Sequence, residues 1–320
     1  MIVVTGAAGF IASNLVNRLN KENFNDIVLV DNFDNPEKNK NLKNKKFSHK
    51  VERKNLFQWI DENHRFVQFV FHIGARTDTT EFDKNIFDEL NLNYTKQVWN
   101  KCVEYGLPMV YASSAATYGD GKLGYDDNHE IIEKLIPLNP YGESKNDFDK
   151  WALQQERKPY FWVGLKFFNV YGPNEYHKGR MASVMFHAFN QIQKNGKMKL
   201  FRSHNPNFKD GEQTRDFIYI DDVVDVLYFF LHHRKDSGIY NLGTAQARDF
   251  NDLVKNIFKN LNLIENIEYI DTPEDIRDNY QYFTQANMQK IRNIGYNRTF
   301  TSLEDGIKNY VEKLKANIYN

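Results

Sequence analysis

Ile2-Val3-Val4-Thr5-Gly6-Ala7-Ala8-Gly9-Phe10-Ile11-Ala12 decides the fold: a short apolar run suited to a buried strand leads into a glycine turn and then a helix. The helical pattern places Ile11, Leu15, Val16 and Leu19 on one face. Gly6 permits the tight turn, Gly9 lets a pyrophosphate approach the backbone, and Ala12 is small enough for close helix–strand packing. The N–H groups and positive dipole at the helix start suit such an anion. An ordinary strand-to-helix turn with incidental glycines has the same pattern, so the next strand matters. Ile27-Val28-Leu29-Val30 supplies it and ends in Asp31-Asn32, an acidic residue about 20 positions past the glycines, placed to accept from an adenosine ribose. Asp at a strand end is equally a turn former. Lys38, Lys40, Lys43, Lys45, Lys46 and Arg53 follow. This local positive excess would welcome a 2′-phosphate, favouring NADP over NAD, although a solvated loop has the same composition.

Composition bounds the function. The chain has 320 residues, more than one typical domain, so a large domain or two joined ones are expected. Lys plus Arg equals Asp plus Glu at 42 each, which removes the basic field of a nucleic-acid binder. Cys102 is the only cysteine, which leaves no internal disulfide and no cysteine metal cage. No metal is expected. No apolar run approaches the roughly 20 residues of a membrane span, and a cytoplasmic protein without membrane partners is the reading.

Further along, Phe66 to His72 reads as a buried strand running into Gly74-Ala75-Arg76-Thr77-Asp78-Thr79-Thr80, small and polar residues that could lie against a cofactor. Asn91 to Tyr105 reads as a helix. Pro108 to Ala112 is the next strand, with Ser113-Ser114 at its carboxyl end, where open α/β sheets bind ligands. Ser114 could hydrogen-bond a substrate oxygen there or cap a turn. After Asn139-Pro140, the sequence Tyr141-Gly142-Glu143-Ser144-Lys145 begins a helix. The i,i+4 spacing sets Tyr141 and Lys145 on one face, and a neighbouring cation favours phenolate, as acid–base work requires. A surface pair has the same spacing. The strand Val163 to Phe168 ends in Asn169-Val170-Tyr171-Gly172-Pro173. Helices are then expected over 182–193, 221–232, 249–260 and 302–315, with strands near 199–201, 215–219 and 239–242. The reading is an α/β fold: a doubly wound parallel sheet over residues 1–172, and a smaller C-terminal α/β substrate lobe over 173–320, with elements of about 215–243 returning to the sheet.

The Gly6-x-x-Gly9-x-x-Ala12 turn, Ser114 after a strand and Tyr141-x-x-x-Lys145 together resemble the extended short-chain dehydrogenase/reductase family. That resemblance implies a Rossmann-type domain holding a nicotinamide dinucleotide. It also implies that Ser114 and Tyr141 contact the reacting C–O group, while Lys145 holds the nicotinamide ribose and lowers the tyrosine pKa. Longer strings narrow the match: Tyr111 to Gly119, Phe168 to Pro173, His177-Lys178-Gly179 with Met181 to Val184, and Tyr282 to Ala286 are similar to the ADP-L-glycero-D-manno-heptose 6-epimerase family. This implies NADP, an ADP-heptose substrate, a role in heptose supply for the lipopolysaccharide inner core, and a homo-oligomer, a pentamer. It assigns two acid–base residues, Tyr141 and Lys178, because the substrate oxygen occupies two positions in the two half-reactions.

The same resemblance carries cofactor contact to Gly6, Gly9, Phe10, Ile11, Asp31, Asn32, Lys38, Arg53, Ile73, Gly74, Ala75, Arg76, Thr77, Asn91, Lys145, Val170 and Lys178. It carries substrate contact to Ser114, Asn169, Arg180, His187, Phe201, Arg202, Ser203, His204, Arg215 and Tyr280. Arg215 is the natural diphosphate partner, since a guanidinium forks onto phosphate oxygens. The chain departs from the family pattern at Arg180, where some members carry serine, and at Asn205 to Thr214, which lengthens a loop. Rival readings are a hexose 4-epimerase, a 4,6-dehydratase or a non-catalytic NADP-binding protein. Ala115 and Ala116, standing where dehydratases carry an acidic pair, count against elimination chemistry.

Overall fold

A computed structural model describes residues 1–277 and 280–317. Its main sheet contains β1 (Ile2–Thr5), β2 (Ile27–Asp31), β3 (His49–Glu52), β4 (Phe69–His72), β5 (Met109–Ser114), β6 (Trp162–Phe167) and, after three strands of other sheets, β10 (Gly238–Leu242). The order is β10-β6-β5-β4-β1-β2-β3, and every pairing is parallel. Parallel strands must be covered on both faces, which is why β1, β2, β4 and β5 are buried throughout. The chain builds outward from β1 to β3 and then returns past β1 to lay down β4. That reversal leaves a crevice at the carboxyl ends of β1 and β4.

The skipped strands β7 (Asn169–Tyr171), β8 (Met198–Phe201), β9 (Thr214–Tyr219), β11 (Ala247–Asp249) and β12 (Ile267–Ile270) form two small sheets, β11-β9-β7 and β12-β8. Thus 238–242 lies in the large sheet, while 214–219 lies in a small one. The longer helices are α1 (Phe10–Lys21), α2 (Leu56–Asn63), α3 (Tyr94–Glu104), α4 (Pro140–Gln154), α5 (Val184–Asn195), α6 (Ile220–His232), α7 (Phe250–Leu261) and α8 (Leu303–Lys315). Helix α1 buries Ala12, Leu15, Val16 and Leu19 and packs against α6. Ile11 is only half-buried, because it sits at the crevice edge of that face. Trp99 of α3 meets Phe148 and Trp151 of α4 and Trp162 of β6 edge-on, at 6.0, 6.0 and 5.2 Å. Such contacts add about 0.5–1.5 kcal/mol each beyond burial, and they seat α4 on the sheet.

The structure corrects some boundaries. Residues 66–68 are not strand: Arg65 and Phe66 close a 3₁₀ turn and Phe66 is 63% exposed. The helix expected from Asn91 starts as a π turn over Asp88–Asn93 and becomes α-helical at Tyr94. The strands β3, β7, β11 and β12 and the helix α2 were not expected; β3 alternates weakly because its first two residues face solvent at the sheet edge.

Candidate active site

The crevice between β1 and β4 is a cleft of about 550 Å³. Gly6 turns the chain at φ +66°, and a Cβ there would lie 2.5 Å from the Cα of Gly74. Only glycine lets these two backbones cross. Gly9 begins α1 without any side-chain cap, so the first-turn amides of Phe10 and Ile11 open onto a cleft that both residues line. The Asp31 carboxylate accepts from Ala8 N–H at 2.9 Å, Asn32 N–H at 2.8 Å and the Lys38 ammonium at 2.6 Å. It therefore braces the glycine turn and anchors a cation at the same end as Arg53. Uncapped amides and a glycine floor fit the pyrophosphate of a dinucleotide.

Of the residues expected around a cofactor, Gly6, Gly9, Phe10, Ile11, Asp31, Asn32, Lys38, Arg53, Ile73 to Thr77 and Lys178 line this cleft. Asn91 does not; it clamps the Arg76 backbone at 2.8 and 3.0 Å and reaches Ser144 Oγ at 3.1 Å. Lys145 and Val170 also lie off the lining. Asp78, in the segment expected to lie against a cofactor, lines it as well; Thr5, His72, Leu90, Tyr94, His177 and Met181 line the cleft without having been expected. His72 bridges Thr5 and Thr95 at 2.8 and 3.0 Å, and burial drops its pKa to about 3, so the imidazole is neutral under the turn.

Ser114, Tyr141 and Lys145 come together where β5 ends. Asn139 caps α4 by accepting from Gly142 N–H at 2.8 Å, a signal present in the sequence as Asn before Pro. Ser114 accepts from Ala116 N–H at 3.1 Å, capping a turn, and also hydrogen-bonds the Tyr141 phenol. The turn-capping reading of this serine is the one the geometry shows. Lys145 is buried and donates to the Ala112 carbonyl at 2.6 Å. Burial lowers it to about 8, against the opposing field of Asp149. Tyr141 is not depressed as expected: burial pushes it up, and only the Ser114 hydrogen bond pulls it back. The ammonium is directed at a carbonyl rather than at the phenol. Beneath them Asp149, one turn past Lys145, is fully buried and accepts from Tyr111 at 2.9 Å and from Ser113 and Lys166 at 2.7 Å.

Lys178 is half-buried, with its Nζ 5.4 Å from the Phe10 ring centroid. Desolvation lowers its pKa, and the nearby Glu175 charge opposes the shift.

Arg215 is buried; its guanidinium donates to the carbonyls of Thr214 and Gln281 and lies 5.4 Å from the Tyr280 ring centroid. Among the described residues no carboxylate pairs with it. Phe201 meets Tyr280 at 6.0 Å, and Gln213, not foreseen, reaches Tyr280 at 3.3 Å with a buried, unpartnered Oε1. Gln281 donates to the Gly119 carbonyl, which joins this cluster to the segment after Ser114. Ser203 N–H donates to Asp210 at 2.8 Å, so the lengthened loop folds back on itself. Arg202 pairs with Asp271 at 3.1 Å, and His204 accepts from Thr272 N–H at 3.3 Å; both side chains pin the loop rather than join Arg215. Asn169 and Arg180 are exposed, and the His187 Nε2 lies 3.3 Å from the Arg180 carbonyl.

A model of the family described as NAD dependent epimerase/dehydratase matches residues 2–243. The chain is 47% identical over 326 residues to a Fusobacterium nucleatum protein named ADP-L-glycero-D-manno-heptose-6-epimerase, covering 99% of this chain and 98% of the relative. It is 42% identical over 323 residues to a Brachyspira hyodysenteriae protein of the same name, covering 98% of each. Among solved structures, the Helicobacter pylori ADP-L-glycero-D-manno-heptose-6-epimerase aligns at TM-score 0.80 and 28% identity, over 98% of this chain and 96% of that one.

Proposed function

Because the chain belongs to the ADP-L-glycero-D-manno-heptose-6-epimerase group of the NAD dependent epimerase/dehydratase family and is an enzyme, we propose how it works. It inverts C6 of ADP-D-glycero-D-manno-heptose through a transient 6-ketone, with NADP in the cleft. The observation that carries this reading is the pair of half-buried proton-carrying groups on separate segments, Tyr141 held by Ser114 and Lys178 against Phe10.

A bound nicotinamide supplies hydride removal and return. The chain supplies everything else. Ser114 donates a hydrogen bond to the reacting oxygen, and Tyr141 exchanges its proton in one half-reaction. When the ketone presents its other face the oxygen has moved, and Lys178, whose pKa burial lowers, serves the second half-reaction. Lys145 holds the nicotinamide ribose. Arg215, buried and without a carboxylate partner among the described residues, receives the diphosphate, with Phe201, Arg202, Ser203, His204 and Tyr280 around the nucleotide and Asn169, Arg180 and His187 toward the sugar. Lys38 and Arg53 support NADP over NAD. Residues 1–172 serve the cofactor and 173–320 the substrate. Cytoplasmic heptose supply for the lipopolysaccharide inner core and a homo-pentamer rest on family resemblance.

Turnover in deuterated water tests the route. Product without deuterium at C6 is expected, because the hydride returns to the carbon it left. Substantial incorporation at C6 overturns the oxidation–reduction mechanism.

A further inference from the structure

Glu175 lies in the segment between β7 and α5 that carries Lys178, and it is 0% exposed. Its carboxylate accepts from Ser183 N–H at 2.5 Å, Ser183 Oγ at 2.6 Å, Tyr310 OH at 2.9 Å and, at 3.5 Å, Gly172 N–H. Those partners mark three separate places: the end of β7, the cap of α5 and the C-terminal helix α8, 135 residues along the chain. Two of the donors are backbone amides, which can only donate, so the arrangement suits the ionised carboxylate. A buried charge of this kind is costly without compensation, and among the described residues no cation stands within ion-pair distance. The compensating field comes from Lys178, while burial raises Glu175.

The geometry of the loop gives that charge a purpose. The Glu175 side chain joins residue 175 to residue 183, and the Glu175 carbonyl accepts from Lys178 N–H at 2.9 Å. Lys178 sits inside this closed loop, beside Gly179, which has φ +54° and open space around it. Without the clasp, Gly179 would leave the Lys178 side chain free to swing; loop closure removes that freedom.

We propose that Glu175 is the positioning residue of Lys178: it clasps the 175–183 loop onto α8 and places a negative charge near the Lys178 ammonium in the cleft. The inference rests on Lys178 being an acid–base group. Of the other titratable groups, Tyr310 from α8 faces Glu175 and is itself near Tyr219 and Tyr176, while His177 faces Lys178 and is itself near Lys38 and Asp31. The Glu175 charge raises the Lys178 pKa, so neutralising Glu175 must move it further down.

Glu175→Gln in the NADP-loaded protein is the test, with two readouts. The titration midpoint of Lys178 is read by acetic-anhydride labelling and peptide mass spectrometry across pH, and kcat and KM are read by epimerisation. The expected result is a midpoint about half a unit or more toward acid, with kcat at least about tenfold lower and KM little changed. A midpoint that stays in place, even with a lower melting temperature, overturns the proposal. Tyr310→Phe covers the case in which Glu175→Gln does not fold. It keeps the charge and loses one donor, so kcat should fall severalfold with the midpoint held, and wild-type kcat overturns the clasp. Lys178→Met tests the underlying reading separately: full activity in that variant removes Lys178 from the chemistry, whatever Glu175→Gln does.

Discussion

At the residue level, half-buried Tyr141 and buried Lys145 stand one turn apart, and burial moves their proton affinities apart. The phenol is pushed up and the ammonium down to about 8. Tyr141 therefore keeps its proton at neutral pH in the free chain, as a general acid should, and it needs an approaching charge before it can act as a base. Tyr141→Phe removes the proton while keeping the ring that packs edge-on to Phe87 at 6.3 Å. We expect epimerisation to fall by about 10²–10⁴-fold with the dinucleotide content of the purified protein unchanged by mass spectrometry. Unchanged turnover would take Tyr141 out of the mechanism. The i,i+4 spacing made this pair legible in the sequence. Lys178 was legible only through its surrounding motif, because a loop lysine has no local pattern that distinguishes it from a solvated one. Glu175 left no local signal at all, since its meaning depends on Tyr310.

At the element level, the β1–turn–α1 unit was readable because its determinants are local: an apolar run, two glycines and a helical period. What the pattern did not reveal is why Gly6 must be glycine. The demand comes from Gly74, which closes under it from the end of β4. Gly6→Ala asks a residue with a Cβ to hold φ +66°, at about 1–3 kcal/mol, and drives that Cβ into the Gly74 backbone. The expected outcome is a lower melting temperature together with loss of bound dinucleotide, as the Phe10 and Ile11 amides shift. A variant with wild-type melting temperature and full dinucleotide content would show that the crossing is not needed. The small sheets were less legible for a physical reason. β12 pairs with β8 and β7 with β9 across long separations, and short half-buried strands such as Ile267–Ile270 carry little periodic signal. The Lys166–Asp149 pair is likewise a product of packing, in which a helix face and a strand face meet only after folding.

For the whole molecule, formal charges balance at 42 of each sign, so the overall field says little and the pH response comes from burial. Lys45 and Lys145 are lowered to about 8. Lys178, Lys290 and Lys313 are lowered as well, chiefly by desolvation in every case. In the unfolded chain these lysines titrate near 10.4. From pH 8 upward the unfolded chain therefore holds more protons than the folded one, and stability must rise with pH. Groups acting in the opposite sense are fewer or enter later: Cys102, raised by burial from 9, is one thiol that begins to oppose the lysines between pH 8 and pH 9, and the buried tyrosines, raised from 10, join nearer pH 10. The melting temperature of the cofactor-free protein should accordingly climb between pH 8 and pH 9, and climb less in Lys145→Met, which lacks one contributor. A saturating dinucleotide should flatten the rise further, because its phosphates favour the charged form of lysines in the cleft. Differential scanning calorimetry at closely spaced pH values measures all three slopes. A flat or falling melting temperature in the cofactor-free wild type would mean that these lysines titrate as they do in water, and that the cleft is wetter than its geometry implies.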